Sequence, residues 1–246
     1  MAPPLSAAVL LLMTNYDYKH PEALRHLLQD VSTLVPPSIP LYVMAEDCRL
    51  WSFTPACFEM SLKCGKDRRV DILTESIWST LATLNTSHVL LLQPDGVICK
   101  RLTVDHFWKW SRFAFIGAPW ESPADGGARV GNGGVSFRNV KCMAVWAKRA
   151  RLKGCHAHPE DVYIATHAVP NCTVAPFRVA RRFALEAVAS PRPYFAHIFK
   201  NGALNKWALR RMKLSKAQLK LVCPNIQAHP YFRLSSHVPK DVMTLY

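Results

Sequence analysis

The chain has 246 residues, half of them apolar, and a formal net charge of +14 at pH 7. That length and apolar content suffice for one domain with a sizeable core, and the ordinary charged and aromatic fractions exclude global disorder. The positive charge admits a nucleotide, a nucleic acid or an anionic membrane surface as partner, and equally a basic enzyme with no polyanion partner.

In chain order, residues 7–14 form an apolar run that predicts a buried parallel strand. The run is far too short to span a membrane, which needs roughly 20 residues. No basic residue precedes it, so it is expected to be a strand rather than a signal peptide. A polar loop over 15–20 comes next. Pro21 then opens a helix whose Leu24, Leu27, Leu28, Val31 and Leu34 share one face, and Pro36-Pro37 stops it. Residues 41–45 predict a second strand, 46–66 an irregular stretch, and 70–73 a short strand. Helical spacing of Ile77, Trp78, Leu81 and Leu84 predicts a helix over 74–84. A third buried strand, 89–93, ends in Pro94-Asp95-Gly96, a strong turn signal. Strands at 113–117 and 133–138 and helices at 140–150 and 159–166 complete the pattern. Strands alternating with helices predict an α/β fold with a mostly parallel sheet and helices on both faces.

The eight cysteines form no C-x-x-C pair and match no zinc spacing, and several lie in apolar runs, so reduced thiols are expected over a disulfide framework. Two N-glycosylation sequons, Asn85-Thr86-Ser87 and Asn171-Cys172-Thr173, exceed chance by about one match and say little of localisation. From residue 187 to the end there are ten Lys/Arg and one acid, Asp241. The sequence thus divides into a domain over residues 1–200 and a basic C-terminal extension over 201–246, helical and packed on the domain. In that extension Leu204, Trp207, Ala208 and Met212 share one helical stripe, with Lys206, Arg210, Arg211 and Lys213 around the rest. Such a helix can lie on an anionic membrane or pack on the domain with its basic face in solvent.

Four groups could carry chemistry. Gln93-Pro94-Asp95 ends an apolar strand, where ligands of open α/β sheets bind. A carboxylate there can hold a divalent cation that bridges phosphates and offsets charge growing on a leaving diphosphate; the same residues also make an ordinary turn. Gly131-Asn132-Gly133-Gly134 lets backbone approach a ligand and offer it N–H groups. It lacks the spacing of a dinucleotide fingerprint or P-loop, and a lone glycine cluster is more often a turn. Glu160 and Asp161 start a helix, whose dipole alone accounts for them, or one of them takes a proton from a hydroxyl. His197, among aromatics, is either an ordinary core or surface histidine or a metal ligand. A G-x-S-x-G elbow, an H-E-x-x-H motif and a local cysteine-nucleophile signature are all missing.

The order of these blocks is more telling than any one of them. Residues 87–95 with Gln93-Pro94-Asp95, Gly117-Ala118-Pro119-Trp120, Val130-Gly131-Asn132-Gly133-Gly134, Glu160-Asp161-Val162, Arg182 to Glu186 and His197 succeed one another along the chain. This series resembles a glycosyltransferase-like family of unknown function related to GT-A enzymes, over about residues 7–200. The resemblance implies a GT-A-like fold and a set of roles. Asp95 takes the place of the second acid of the metal motif, with Gln93 where the first acid would stand. Glu160 and Asp161 match the pair where inverting enzymes keep their base, and His197 the late histidine on metal or diphosphate. Gly133 and Gly134 lie against the donor sugar. Thr14 and Tyr16 face the nucleotide, and Trp120 and Asn132 position the acceptor. A bound Mn²⁺ or Mg²⁺ is implied, at an affinity lowered by the missing first acid.

The expected activity is transfer of a sugar from a nucleoside diphosphate sugar to a hydroxyl of a glycan, lipid or protein. The alternative is a non-catalytic nucleotide- or polyanion-binding protein on the same fold; a third reading is a nucleotidyltransferase. Nucleic acid is not expected as partner, because aromatics are not interleaved with basic residues. With no signal peptide or spanning segment legible, the cytoplasm or a cytoplasmic membrane face is favoured, with peripheral membrane contact through the basic helix.

Overall fold

The computed structural model describes residues 6–12, 21–45, 47–51, 56–59, 75–123, 126–152, 160–197, 213–230 and 232. The expected strand at 70–73, the nucleotide-facing loop with Thr14 and Tyr16, and the stripe from Leu204 to Met212 lie outside these residues.

Six strands form the main sheet: β1 (Ala7–Leu12), β2 (Leu41–Ala45), β3 (Ala56–Glu59), β4 (His88–Leu92), β6 (Phe115–Ile116) and β7 (Val135–Asn139), in the order β3-β2-β1-β4-β7-β6. The first four run parallel, whereas β7 is antiparallel to both of its neighbours. The chain is therefore an α/β protein with a mixed, mostly parallel sheet. β1 and β4 are buried along their whole length, which explains their unbroken apolar runs.

Alternate residues of these strands feed two cores. Leu10, Leu12, Val89 and Leu91 meet Trp78 and Leu81 of α2 (Glu75–Thr83), Met143 and Trp146 of α4 (Val140–Leu152), and Tyr163 of α5 (Glu160–Thr166). Val9, Leu11, Leu90 and Leu92 face the opposite way. There they meet Leu27 and Val31 of α1 (Pro21–Leu34), Phe107 and Trp110 of α3 (Val104–Trp110), and Phe183 of α6 (Phe177–Phe183). Helices thus cover both faces.

A second sheet, β5 (Gly96–Ile98), β9 (Phe195–His197) and β8 (Ala184–Leu185), lies beyond the carboxyl end of β4. Val97, Leu185 and Ala196 of this sheet share a third core with Leu219 and Ile226. Leu219 belongs to the helix Lys216–Val222, whose start is capped reciprocally by Ser215 and Gln218. Among the described residues, no helix is long and apolar enough to cross a membrane.

The expectation of reduced thiols is corrected here. The described cysteines pair as Cys48–Cys57, Cys99–Cys223 and Cys142–Cys172. Partners 124 residues apart, as in Cys99–Cys223, are brought together only by tertiary packing, so sequence spacing carries no trace of them. That bond and the third core fasten the segment after residue 213 to the small sheet.

Candidate active site at the carboxyl end of the sheet

β1 has β2 on one side and β4 on the other. This is the switch point of the parallel part of the sheet, and a crevice opens outside the carboxyl ends of the strands at such a point. β4 leads into it directly. Its ladder with β7 continues one residue further, where the Gln93 N–H donates to Gly134 O (2.8 Å). The Gly96 N–H then closes a turn on Gln93 O (2.8 Å), and that turn buries Asp95.

Strand register delivers the partners of Asp95. In the small sheet Gly96 of β5 pairs with His197 of β9, and Leu185 pairs with Ala196. Glu186, one residue past β8, therefore arrives beside His197. His197 Nε2 lies 3.2 Å from Asp95 Oδ1, and Nδ1 lies 3.3 Å from Glu186 Oε1. Burial works against the charged ring, but the two carboxylates outweigh it and push the His197 pKa up to about 10. Nε2 faces the Asp95 carboxylate as an ion-pair partner. Asn132, held at φ 68°, brings Nδ2 to 2.7 Å from His197 Nδ1 and accepts the Val135 N–H at Oδ1.

The glycine loop is the hub. Asn132 touches His197, and a side chain at Gly134 would collide with His197 Nε2 and Gln93 Oε1. The Gly133 N–H donates to Asp161 Oδ2 (3.1 Å), and a Cβ on Gly133 would occupy the place of the Glu160 carboxylate. Gly131 packs against the Trp120 ring, its N–H donating to Ala118 O (3.1 Å). Four consecutive residues thus join the Asp95–His197–Glu186 group, the Glu160–Asp161 pair and Trp120, and glycine is needed wherever a side chain already fills the space.

The two acids at the start of α5 differ. Asp161 is half-buried, accepting the Gly133 N–H and its neighbour's Val162 N–H (2.8 Å). Glu160 is buried behind the loop. Burial first, and the charge of Asp161 second, push its pKa up to about 7 against the pull of Arg138. Arg138 is fully buried. Its Nη2 donates to Gly133 O (3.0 Å) and Glu160 Oε1 (3.2 Å), and its Nε to Ser136 Oγ (2.8 Å). Burial lowers the guanidinium pKa and Glu160 raises it again; the guanidinium stays charged.

Of the sequence-predicted residues, Gln93, Asp95, Trp120, Asn132, Gly133, Gly134, Glu160, Asp161 and His197 therefore converge on one region. Three others were not foreseen. Arg138 and Glu186 lie inside recognisable blocks but sit among residues that look like ordinary strand and loop. His229 comes from the C-terminal segment and carries no local signal. Its Nε2–H donates to Pro94 O (2.8 Å), and burial holds its pKa down to about 4. It braces the Asp95 turn from behind.

No group of three or more His, Cys, Asp or Glu among the described residues could hold a metal ion. Asp95, with Gln93 nearby, fits a hard cation whose other ligands come from a diphosphate and water, the usual habit of Mg²⁺. It does not fit one caged by protein alone. His197 would ligate only if its contact with Asp95 opened.

The profile of the family described as "Protein of unknown function (DUF5672)" matches residues 68–197, just over half of the chain. No curated protein matches it.

Proposed function

The chain belongs to the DUF5672 family of proteins of unknown function, and from that premise we propose that it is a nucleotide-sugar-dependent glycosyltransferase on a GT-A-like fold. One observation carries the reading. A buried carboxylate paired with a histidine at the sheet's switch point is joined by a four-residue glycine loop to a second pair of carboxylates. That is the layout a transfer from a diphosphate to a hydroxyl requires, with one pole for the leaving group and another for the nucleophile.

Asp95 and Gln93 would hold Mn²⁺ or Mg²⁺ on the donor diphosphate, and the cation would neutralise the charge of the leaving group. His197, between Asp95 and Glu186, holds the Asp95 carboxylate in place beside the same group. Asp161, the more accessible acid, receives the acceptor's proton if the anomeric centre inverts, and positions the hydroxyl if it is retained. The acceptor oxygen bonds to the anomeric carbon, and the bond to the diphosphate oxygen breaks with its electron pair. Glu160 and Arg138 hold Asp161 and the loop in place. Trp120 and Asn132 position the acceptor, a hydroxyl of a glycan, lipid or protein.

A thermal-shift screen of nucleoside diphosphates and nucleotide sugars, with and without Mn²⁺, tests this. A ligand at 100 times its Kd stabilises the fold by about 2.7 kcal/mol. One nucleotide series should stabilise the wild type and lose that effect in Asp95→Ala. Stabilisation without sugar transfer to any hydroxyl would select the non-catalytic nucleotide-binding reading. Absence of any shift, beside salt-sensitive binding to anionic lipid or nucleic acid, would sink both. Liposome flotation with and without residues 203–220 tests the peripheral membrane contact.

A further inference from the structure

Among the described residues, three of the four non-glycine positions with positive φ are asparagines: Asn85 (55°), Asn132 (68°) and Asn171 (63°). Asparagine tolerates this left-handed conformation better than most residues, which accounts for the residue type at all three. It does not account for the residues that come after each of them. Asn132 is buried in the glycine loop and is succeeded by two glycines. Asn85 and Asn171 stand exposed on turns, and each has a hydroxyl residue two places on, Ser87 and Thr173. Thr173 is itself exposed. Neither exposed amide side chain is engaged by another described residue.

Both turns lie at one pole of the molecule. The Ser87 carbonyl accepts the Val140 N–H (2.9 Å) and His88 pairs with Asn139. Two residues beyond Val140, Cys142 is bonded to Cys172, the middle residue of the second sequon. Asp95 and His197 lie past the other end of β4. At about 3.3 Å per residue, the two sequons are roughly 15 Å or more from that site.

Disulfides supply the second, independent observation. Three pairs among the described cysteines are stable only where thiols are not kept reduced, as in a secretory lumen or outside the cell. That is also where the sequon is read.

We propose that this chain is an N-glycoprotein of an oxidising secretory compartment, carrying oligosaccharide on Asn85 and Asn171 at the pole opposite the candidate active site. In each transfer the side-chain amide nitrogen bonds to the anomeric carbon of an oligosaccharide held on a polyprenyl diphosphate. The carbon–oxygen bond to the diphosphate breaks, the lipid diphosphate leaves with the electron pair, and the amide loses one proton. Glycans so placed leave the crevice open. The proposal replaces the cytoplasmic location that the lack of a legible signal peptide or spanning segment would favour, and it stands whether or not the chain transfers sugars itself.

The test uses protein isolated from its own cells. Digestion with peptide-N-glycosidase in heavy-oxygen water converts each occupied Asn to labelled Asp, read by mass spectrometry of the peptides spanning residues 85 and 171. Non-reducing mapping of the Cys142–Cys172 peptide runs in parallel. Label at both positions, with the disulfide intact, is the expected result. Asn85→Gln and Thr173→Ala should each remove one glycan step on a gel, and the second does so without disturbing the left-handed Asn171. Label at one position alone overturns the proposal for the other. Unlabelled, intact Asn at both, or free thiols at Cys142 and Cys172, overturns it altogether.

Discussion

The two ends of β4 each lead to a histidine beside an asparagine amide, and the surroundings push the two rings in opposite directions. At the amino end, His88 Nε2 lies 3.1 Å from Asn139 Nδ2 and the ring stacks on Phe137 at 5.3 Å. Burial alone dominates there and holds its pKa down to about 4. Past the carboxyl end, His197 is partly buried and meets Asn132 in the same way, yet Asp95 and Glu186 push its pKa up. Burial alone therefore does not set the direction of the shift. Two carboxylates delivered by strand register do. Buried charge has a free-energy cost that an apolar filling would avoid, and its concentration at one end of the sheet is what makes that end the candidate site.

The comparison can be broken by removing charge at the working end. Arg138→Met should have the largest effect. It leaves Glu160 buried beside Asp161 without its cation, a loss of about 3–5 kcal/mol where the carboxylate stays ionised and a smaller one where it takes up a proton, measured by urea denaturation well above pH 7. Arg138→Met with Glu160→Gln should recover much of that loss, since the orphaned charge is gone; equal instability of the single and double variants would refute the electrostatic account. Asp95→Ala comes next. It should abolish nucleotide-dependent stabilisation and lower any transfer rate by at least ~100-fold, or about 2.7 kcal/mol of barrier, while Asn139→Ala at the scaffold end leaves nucleotide binding unchanged. Gly134→Ala should weaken nucleotide binding and cost about 1–3 kcal/mol of stability, because its Cβ displaces the His197 and Gln93 side chains. Wild-type affinity in that variant would show that the close packing of the loop is incidental.

Legibility in the sequence divides along the same line. β1, β2 and β4 are apolar runs long enough to be seen, and the helices of 75–83 and 140–152 carry clear stripes. β5, β8 and β9 have three, two and three residues, too few for a period, although they deliver His197 and Glu186. β3 falls in a stretch that reads as irregular. α3 has only seven residues, and its Thr103 cap is answered by His106 where a Glu or Gln would be the readable signal. That β7 runs antiparallel leaves no mark in Val-Ser-Phe-Arg-Asn, and Arg138 looks there like a solvent-facing strand residue. The site residues could be found because glycine and paired acids are locally unusual. Their partners could not, since a buried arginine or a distant histidine is defined only by what the fold puts around it.

The smallest effect sharpens the comparison from the scaffold end. His88 has an ordinary pKa of 6.5 when unfolded and about 4 when folded. Above pH 6.5 it is neutral in both states and costs nothing. As pH falls from about 6.5 towards 4 the unfolded chain gains a proton that the folded one refuses, so stability drops, and below 4 the loss levels off. Other groups move in the same window. His229 acts in the same direction, while Asp30, raised to about 6 by burial, and Glu160 oppose it by gaining protons in the fold. The total curve is therefore a poor test, and the difference between wild type and His88→Gln is a good one. Denaturation midpoints should show the wild type losing roughly 1–2 kcal/mol more than the variant between pH 7 and pH 5. His197 does not oppose this difference, because it is the same in both proteins and its own contribution is lost only as pH rises towards 10. A His88→Gln curve parallel to the wild type would mean that His88 is charged in the fold after all, and that the two ends of β4 differ less than their surroundings indicate.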